Sequence, residues 1–467
     1  PYIWRHFIKM KKILTFLLIN LSLLFGQNDN SECPVNLSIF AEYAKVKNYK
    51  SAYEPWLHVF NNCPELNDAT FKYGELIIKS EIKNAVDEDK VVLKKQLVEL
   101  YDKWAQYFPK KKSGVSELGK ILSKKAQTLV DYNLASNEQA NAIFNEAFLK
   151  DSDSFNSPKS LYTFFKTTYQ LYKEKIKTAE ELFDFYEEIS EKLLVEKSKI
   201  SKKLDIILNK IDNGTPLSSR ENRNKRVYET NILAFSTYSK NLDAMISIES
   251  SCENLIPLYR KNFEQNKLNS VWLNRAASRM DFKECSDDSL FVELVQALHE
   301  INPSANSAYY LGLLKDKAGD SKSALSYYEE SLTLEVDNYK KASILYKIAV
   351  KFKTRGLKTN SRQYARKALK FQPSMGKAYL LIANLYASSA NDCGETQFEK
   401  RSIYWLAAQQ ARKAANVDPS TKKTALSMAK SYEGRAPTRT DIFTEGKEGQ
   451  IIIFSCWIKD KITVPKL

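Results

Sequence analysis

NPSANSAYYLGLLKDKAGDSKSALSYYEESLTLEVDNYKKASILYKIAVKFKTRGLKTNSRQYARKALKFQP, residues 302–373, is the stretch that decides the fold. It holds one helix–turn–helix unit written twice. In the first copy Leu311-Gly312 precedes Gly319, then Ala324, Tyr328 and Ser331. In the second, Ile348-Ala349 precedes Gly356, then Ser361, Ala365, Ala368 and Pro373. Small residues recur where two helices must touch, and a glycine falls at each turn between helices. Such a unit buries its apolar face only against a neighbour, so the pattern predicts stacked helix pairs with an extended surface for partners.

Similar pairs extend outward in both directions. Residues 376–421 form a third unit, with Tyr379, Ala383 and Tyr386 on its first helix and Ala407, Ala411, Ala414 and Pro419 on its second. An insertion from Asn391 to Ser402 separates the two, and Thr421 to Glu433 reads as a closing helix. Near the other end, residues 33–66 carry Ile39 and Tyr43 on one helix face and Ala52, Trp56 and Val59 on the next, closed by Pro64. Residues 67–109 and 113–150 give further pairs, the latter broken near Asn133 to Asn137. Residues 252–285 form another hairpin, and 286–301 a linking helix.

The middle has a different period. Ile176, Ala179, Phe183, Tyr186, Ser190, Leu193, Lys197, Ile200, Leu204, Ile207 and Ile211 alternate three and four apart, and nine of these eleven are apolar or aromatic. That is a heptad seam rather than a short globular helix. Asn213-Gly214-Thr215-Pro216 ends it, and Ser218 with Glu221 restarts a helix as a capping box. Tyr228, Asn231, Phe235, Tyr238, Leu242 and Met245 continue the alternation on the return. The prediction is a long antiparallel helical hairpin that either packs flat on the helix pairs or projects as a docking arm. After Gly434 the chain turns β-rich: Asp441-Ile442-Phe443, Gln450 to Ile458 and Ile462 to Val464 read as extended, with Gly446 and Gly449 at the turn. This tail is too small to stand alone and should fold back on the last repeats.

Length and composition agree with this layout. A chain of 467 residues with 43% hydrophobic content is not mainly disordered, and 13 Gly with 13 Pro are too few for an all-β fold. The expected class is all-α, a right-handed helical-repeat solenoid with a long hairpin in its middle and a C-terminal β-hairpin. The expected divisions are 1–26 signal peptide, 27–174 N-terminal repeats, 175–250 long hairpin, 251–301 stapled hairpin with linker helix, 302–433 repeat array and 434–467 tail.

The signal peptide rests on a basic start at Met10-Lys11-Lys12, an apolar run from Ile13 to Phe25, and Phe25-Gly26-Gln27 at the cut. Residues 1–9 read as upstream of the true start. The run is too short for a comfortable membrane span, and none is expected in the mature chain. Residues 1–26 carry Arg5, Lys9, Lys11 and Lys12 and no acid, so cleavage lowers the formal charge from +15 to +11. A basic exported protein meets anionic lipid or polymer more readily than nucleic acid, which is disfavoured as a partner.

Export makes disulfides the expected state of the six cysteines. Cys33 begins one helix and Cys63 ends the next, so an antiparallel hairpin brings them together. Cys252 and Cys285 bracket a second hairpin in the same way, which leaves Cys393 with Cys456. Each bridge restricts the unfolded chain by roughly 3–4 kcal/mol. With no CxxC and only His58 and His299 in the mature chain, a metal site is not expected.

No catalytic constellation is legible either. Two histidines leave little for acid–base work, and there is no glycine-rich phosphate loop or other cofactor motif. Glu180-Glu181 and Glu187-Glu188 are expected on the solvated side of the long helix. Trp56, Trp104, Trp272 and Trp405 read as core. The chain is therefore expected not to be an enzyme, a hydrolase with cryptic carboxylates being the alternative.

Residues 305–373, with weaker echoes at 33–66 and 376–432, resemble the tetratricopeptide repeat (TPR) family. The resemblance implies a superhelix whose first helices line a concave face. Its facing positions would be Asn306, Tyr309, Leu313 and Asp316, then Ser343, Tyr346, Val350 and Lys353, then Lys377, Leu380 and Asn384. Tyrosine, asparagine and lysine there suit a protein or peptide partner. The signal, the stapled first repeat and the Cys456-Trp457-Ile458 tail make the layout similar to exported repeat proteins of the Bacteroidetes. That likeness implies a periplasmic or outer-membrane-associated scaffold, in association with an outer-membrane complex. A binder of anionic polymer or lipid is the alternative.

Overall fold

The computed structural model describes residues 32–467, so the expected signal peptide lies outside the described residues. The described chain is all-α apart from one two-stranded sheet. It divides into two bodies at Ile176 and Lys177.

The N-terminal body contains α1 (Glu32–Lys45), α2 (Tyr49–Asn62), α3 (Ala69–Asn84), α4 (Asp87–Tyr107), α5 (Leu118–Asp131), α6 (Asn137–Asp151) and α7 (Pro158–Lys173). Large aromatic rings fill its core. Trp56 is fully buried and stacks on Phe60 at 4.9 Å, and Phe71 stacks on Trp104 at 6.0 Å. The Trp56 indole N–H donates to the Thr70 carbonyl at 2.7 Å, which satisfies the one polar atom this ring carries inside. α6 starts on a capping box between Ser136 and Gln139.

α7 escaped the periodicity reading. Its buried face interleaves Ser160, Thr163, Thr167 and Thr168 with Leu161, Phe164, Phe165 and Leu171, so hydroxyls interrupt the apolar spacing. The Asn141 amide of α6 donates to the hydroxyls of Thr167 (3.0 Å) and Thr168 (2.7 Å). Polar groups buried as a bonded set can share the inner face with apolar side chains.

The C-terminal body begins with the long hairpin, α8 (Ala179–Asp212) and α9 (Ser219–Met245), and both helices start on the capping boxes of Thr178 and Ser218. The pair α10 (Cys252–Asn266) and α11 (Ser270–Phe282) and the linker α12 (Ser289–Ile301) follow. The repeats are α13 (Ala305–Lys317) with α14 (Ser321–Leu334), α15 (Asn338–Thr354) with α16 (Lys358–Phe371), and α17 (Gly376–Ala387) with α18 (Gln397–Val417). α19 (Lys422–Glu433) closes them.

Within these pairs the small residues do what their spacing demanded. A Cβ added at Gly312 would stand 2.6 Å from the Tyr328 ring, so only glycine lets α13 approach α14 this closely. Gly319 and Gly356 hold φ of +80° and +75° at the interhelix turns, a region other residues enter only with strain. These pairs form a TPR-like helical repeat.

The tail differs in detail from its sequence reading. Residues Arg439–Thr444 form a short helix, α20, started by a Thr438–Asp441 capping box, so Asp441-Ile442-Phe443 is not extended. β1 (Ile451–Phe454) pairs antiparallel with β2 (Asp460–Thr463), Ile452 opposite Ile462. The turn lies between them and uses Lys459 at φ +41°, whereas Gly446 and Gly449 both precede β1. The hairpin docks on the last repeats. The Arg362 guanidinium donates to the Trp457 carbonyl at 3.2 Å and also to that of Ile458, and the Trp457 indole donates to Ser389 at 3.1 Å.

Three disulfides join Cys33 to Cys63, Cys252 to Cys285, and Cys393 to Cys456, the last pinning the tail to the insertion before α18.

Candidate functional site

The long hairpin packs; it does not project along its full length. Leu204 and Leu208 of α8 lie in one apolar cluster with Tyr379 and Leu380 of α17, Ala414, Ala415 and Val417 of α18, and Ala425 of α19. The Asp205 carboxylate accepts from the Tyr339 hydroxyl of α15 and from the Ser374 amide at 3.0 Å. Lys202 pairs with Asp337 at 2.9 Å. Toward its start, α8 meets α11: the Arg279 guanidinium donates to Glu187, by Nε at 2.7 Å and by Nη2, and lies 3.9 Å over the Tyr186 ring. The Tyr186 hydroxyl donates in turn to Asp243 of α9.

This overturns the reading of Glu187 as a solvated acid. Burial pushes its carboxyl up, and Arg279 opposes that. Glu181 keeps the exposed role, tied into the Thr178 cap. The buried side of α8 is also wider than a heptad seam. It adds Leu182, Ile189, Glu196, Ser201, Asp205 and Leu208 to seam positions such as Phe183, Tyr186, Leu193, Leu204 and Ile207. A helix gripped by α9 on one side and by the repeats on another needs this breadth.

The proposed facing positions divide accordingly. Tyr309 and Leu313 are buried at 1% and 2% exposure, packing between helices rather than opening to a partner. Asn306 is half-buried and its amide donates to Asn274 at 3.0 Å. Asp316 is engaged by the Arg355 guanidinium. Asn384 lies beside the Tyr432 hydroxyl, and Leu380 packs beneath the hairpin. Ser343, Tyr346 and Val350 are half-buried, and Lys353 is exposed.

What remains is a crevice between α8 and the repeats, lined by lysines. The Lys377 ammonium stands 4.4 Å over the Tyr346 ring. Solvent reaches its side chain, yet protein surrounds it. Desolvation in the crevice, then the like charges of Lys197 and Lys347, push Lys377 down to about 8, and Asp418 pulls the other way. Lys197 of α8 is pushed down by burial, with Asp418 opposing and Lys240 assisting. Lys347 lies 3.7 Å from Asp281, Lys413 lies 5.5 Å over the Tyr379 ring, and burial pushes the Tyr379 hydroxyl up to about 12. Among the described residues neither Lys197 nor Lys377 makes an ion pair. A site of this kind attracts an acidic group, since an anion relieves repulsion that the fold leaves standing.

Lys377 was singled out from sequence; Lys197 and Lys347 were not. The signal for Lys197 was present, because it is a lysine at an otherwise apolar seam position. Among the described residues no group of three or more His, Cys, Asp or Glu side chains is placed to hold a metal ion. No helix among them is long and apolar enough to cross a membrane.

The chain matches no known protein-family model. It is similar to the photosystem I assembly protein Ycf3 of Cyanophora paradoxa, 28% identical over 135 residues that cover 26% of this chain and 78% of that protein. Among solved structures it is similar to the APC/C hetero-tetramer Cut9-Hcn1, with a TM-score of 0.30 at 12% identity over 91% of this chain and 95% of that one. Yeast Tom70 gives a TM-score of 0.26 at 12% identity over 90% of this chain and 99% of that one. At these scores neither structure bears on what this chain binds.

Proposed function

We propose that this chain is a non-enzymatic protein-interaction scaffold of the cell envelope, working outside the cytoplasm. A protein partner inserts an acidic group into the crevice between α8 and the repeats. The observation that carries the reading is the pair Lys197 and Lys377, confined together beside Tyr346 with no ion-pair partner of their own among the described residues. Rigid helix pairs suit such a role because the binding surface is formed before the partner arrives, which limits the ordering cost. The three disulfides support an oxidising compartment, since such bridges are rare where thiols are kept reduced. An acidic group is also the feature the Ycf3-like resemblance does not supply, so it must be tested on this chain.

A photo-crosslinking amino acid at Tyr346, in the native cells, tests the proposal. The expected result is one adduct of defined mass in the envelope fraction, absent when the crosslinker replaces the exposed Ser326 of α14. The double variant Lys197→Glu, Lys377→Glu should lower its yield at least about tenfold, one tenfold step being about 1.4 kcal/mol, with an unchanged melting temperature. Equal yields at both positions, or no loss in the double variant, would refute the crevice as the binding surface. An adduct found only in the cytoplasmic fraction would refute the envelope setting.

A further inference from the structure

The second arm of the hairpin carries a surface that the crevice does not use. α9 buries only Ile232, Phe235, Ser236 and Leu242 over its 27 residues. At 100° per residue, Arg220, Arg223, Arg226, Val227, Thr230 and Leu233 fall on the opposite face. All six are exposed, Val227 at 49% and Leu233 at 46%.

Two of the nearby acids are already held by lysines. Lys210 holds Glu221 at 2.6 Å, and the Ser218 cap binds it as well, so its carboxyl is pulled down to about 2. Lys225 holds Glu229. Between residues 210 and 227 five cations face two acids, and the other acid, Asp212, sits at the end of α8. Among the described residues Arg220, Arg223 and Arg226 make no side-chain ion pair or hydrogen bond. Three guanidiniums are thus free for an outside anion.

We propose that this outer face of α9 docks the protein on an anionic phospholipid surface. Guanidinium forks match phosphate oxygens two donors at a time. Val227 and Leu233, set among the arginines, enter the headgroup–acyl boundary, as the apolar side chains of an interfacial helix do. A helix of this length lies flat over about 40 Å. A nucleic-acid strand would use the arginines but leave the valine and leucine without a role, and the face offers no aromatic ring for bases to stack on. The surface is separate from the lysine crevice and stands whether or not a protein partner enters there.

The test uses the full chain with a polarity-sensitive dye on Thr230→Cys, and the same dye on Ser326→Cys as the reference position. A site-specific readout is needed because the apolar run from Ile13 to Phe25 could itself hold the chain on any vesicle. With vesicles of phosphatidylglycerol and phosphatidylcholine, the dye at 230 should blue-shift and the dye at 326 should not. Arg220→Gln, Arg223→Gln, Arg226→Gln together should weaken the half-saturating lipid concentration on the order of 100-fold, and Val227→Ser with Leu233→Ser by a few-fold. Raising salt from 50 to 300 mM should weaken it steeply. The same shift on phosphatidylcholine alone, or with inorganic phosphate alone, would overturn the proposal. So would undiminished binding by the triple variant, or tighter binding to single-stranded DNA than to the anionic vesicles. The substituted residues all lie in the exposed class, so a retained melting temperature separates lost docking from lost folding.

Discussion

The two arms of the long hairpin have similar sequence rhythms and opposite fates. α8 buries eleven of its 34 residues, including Glu196 and Asp205, because it is gripped from two sides. α9 buries four of 27 and turns an arginine-bearing face to solvent. A period of three and four residues therefore announces that a helix has a partner, not how many. The charged residues follow the same division: Glu187 on α8 is enclosed and paired, while Arg220, Arg223 and Arg226 on α9 are open.

The harshest way to break this contrast is Arg279→Ala. It leaves Glu187 as a buried acid without its cation, and urea titration should show a loss of about 3–5 kcal/mol. Arg279→Met with Glu187→Leu should recover most of it, because the cost lies in the stranded charge rather than in a missing attraction. Recovery failing in the double variant would mean that the pair does more than neutralise itself. Next comes Leu204→Ala on α8. Leu204 is fully buried against the repeats, and the truncation should cost about 3 kcal/mol. A cost below about 1 kcal/mol would show that α8 rests only lightly on the array.

Asp205→Ala should cost about 2 kcal/mol, since it strands the Tyr339 hydroxyl and the Ser374 amide together. Hydrogen exchange at Ser374 would report it directly. A smaller effect is expected from pH. Lys377 in the folded chain releases its proton near 8, below the ordinary lysine value. Between the two values the unfolded chain binds more protons, so stability rises with pH across that window, and the penalty is fully present below it. Solvent access to this side chain should hold the gain under about 1 kcal/mol. The slope should become shallower in Lys377→Met when melting curves of the two proteins are compared from pH 7 to 10, and Lys197, also pushed down by burial, should carry what remains. The smallest change is Leu233→Ser on α9, expected within about 0.5 kcal/mol by denaturant titration. A loss like that of Leu204→Ala would mean that α9 is covered after all, and the contrast between the arms would collapse.

Much of the architecture could be read in advance. Gly312 and Tyr328, Gly319 and Gly356, and the small residues of α16 and α18 are local requirements of closely packed helix pairs, so they leave a trace in spacing. Two of the disulfides were legible for a related reason: an antiparallel hairpin places the start of one helix beside the end of the next, and Cys393 with Cys456 was the pair left over. α7 was missed because hydroxyl residues interrupt the apolar spacing of its inner face, two of them, Thr167 and Thr168, bonded to Asn141 of another helix. The short helix α20 was missed because β-prone side chains in Asp441-Ile442-Phe443 outweighed its Thr438 cap. The candidate face was legible only in part, since Tyr309 and Leu313 obey the same spacing as Tyr346 and Lys377 but meet different neighbours.

By itself the sequence determined that the chain is helical, that its helices come in antiparallel pairs, where two bridges close them, and which helix is longest. Those are statements about neighbours along the chain, and periodicity, caps and turn residues encode them directly. The tertiary structure alone decided which surface of the repeats α8 covers, that Glu187 is enclosed, and that Lys197, Lys347 and Lys377 share one crevice. Each of these depends on groups tens to hundreds of residues apart arriving at one place. The field and solvation that a charge experiences are set by everything around it, and no stretch of sequence contains that sum.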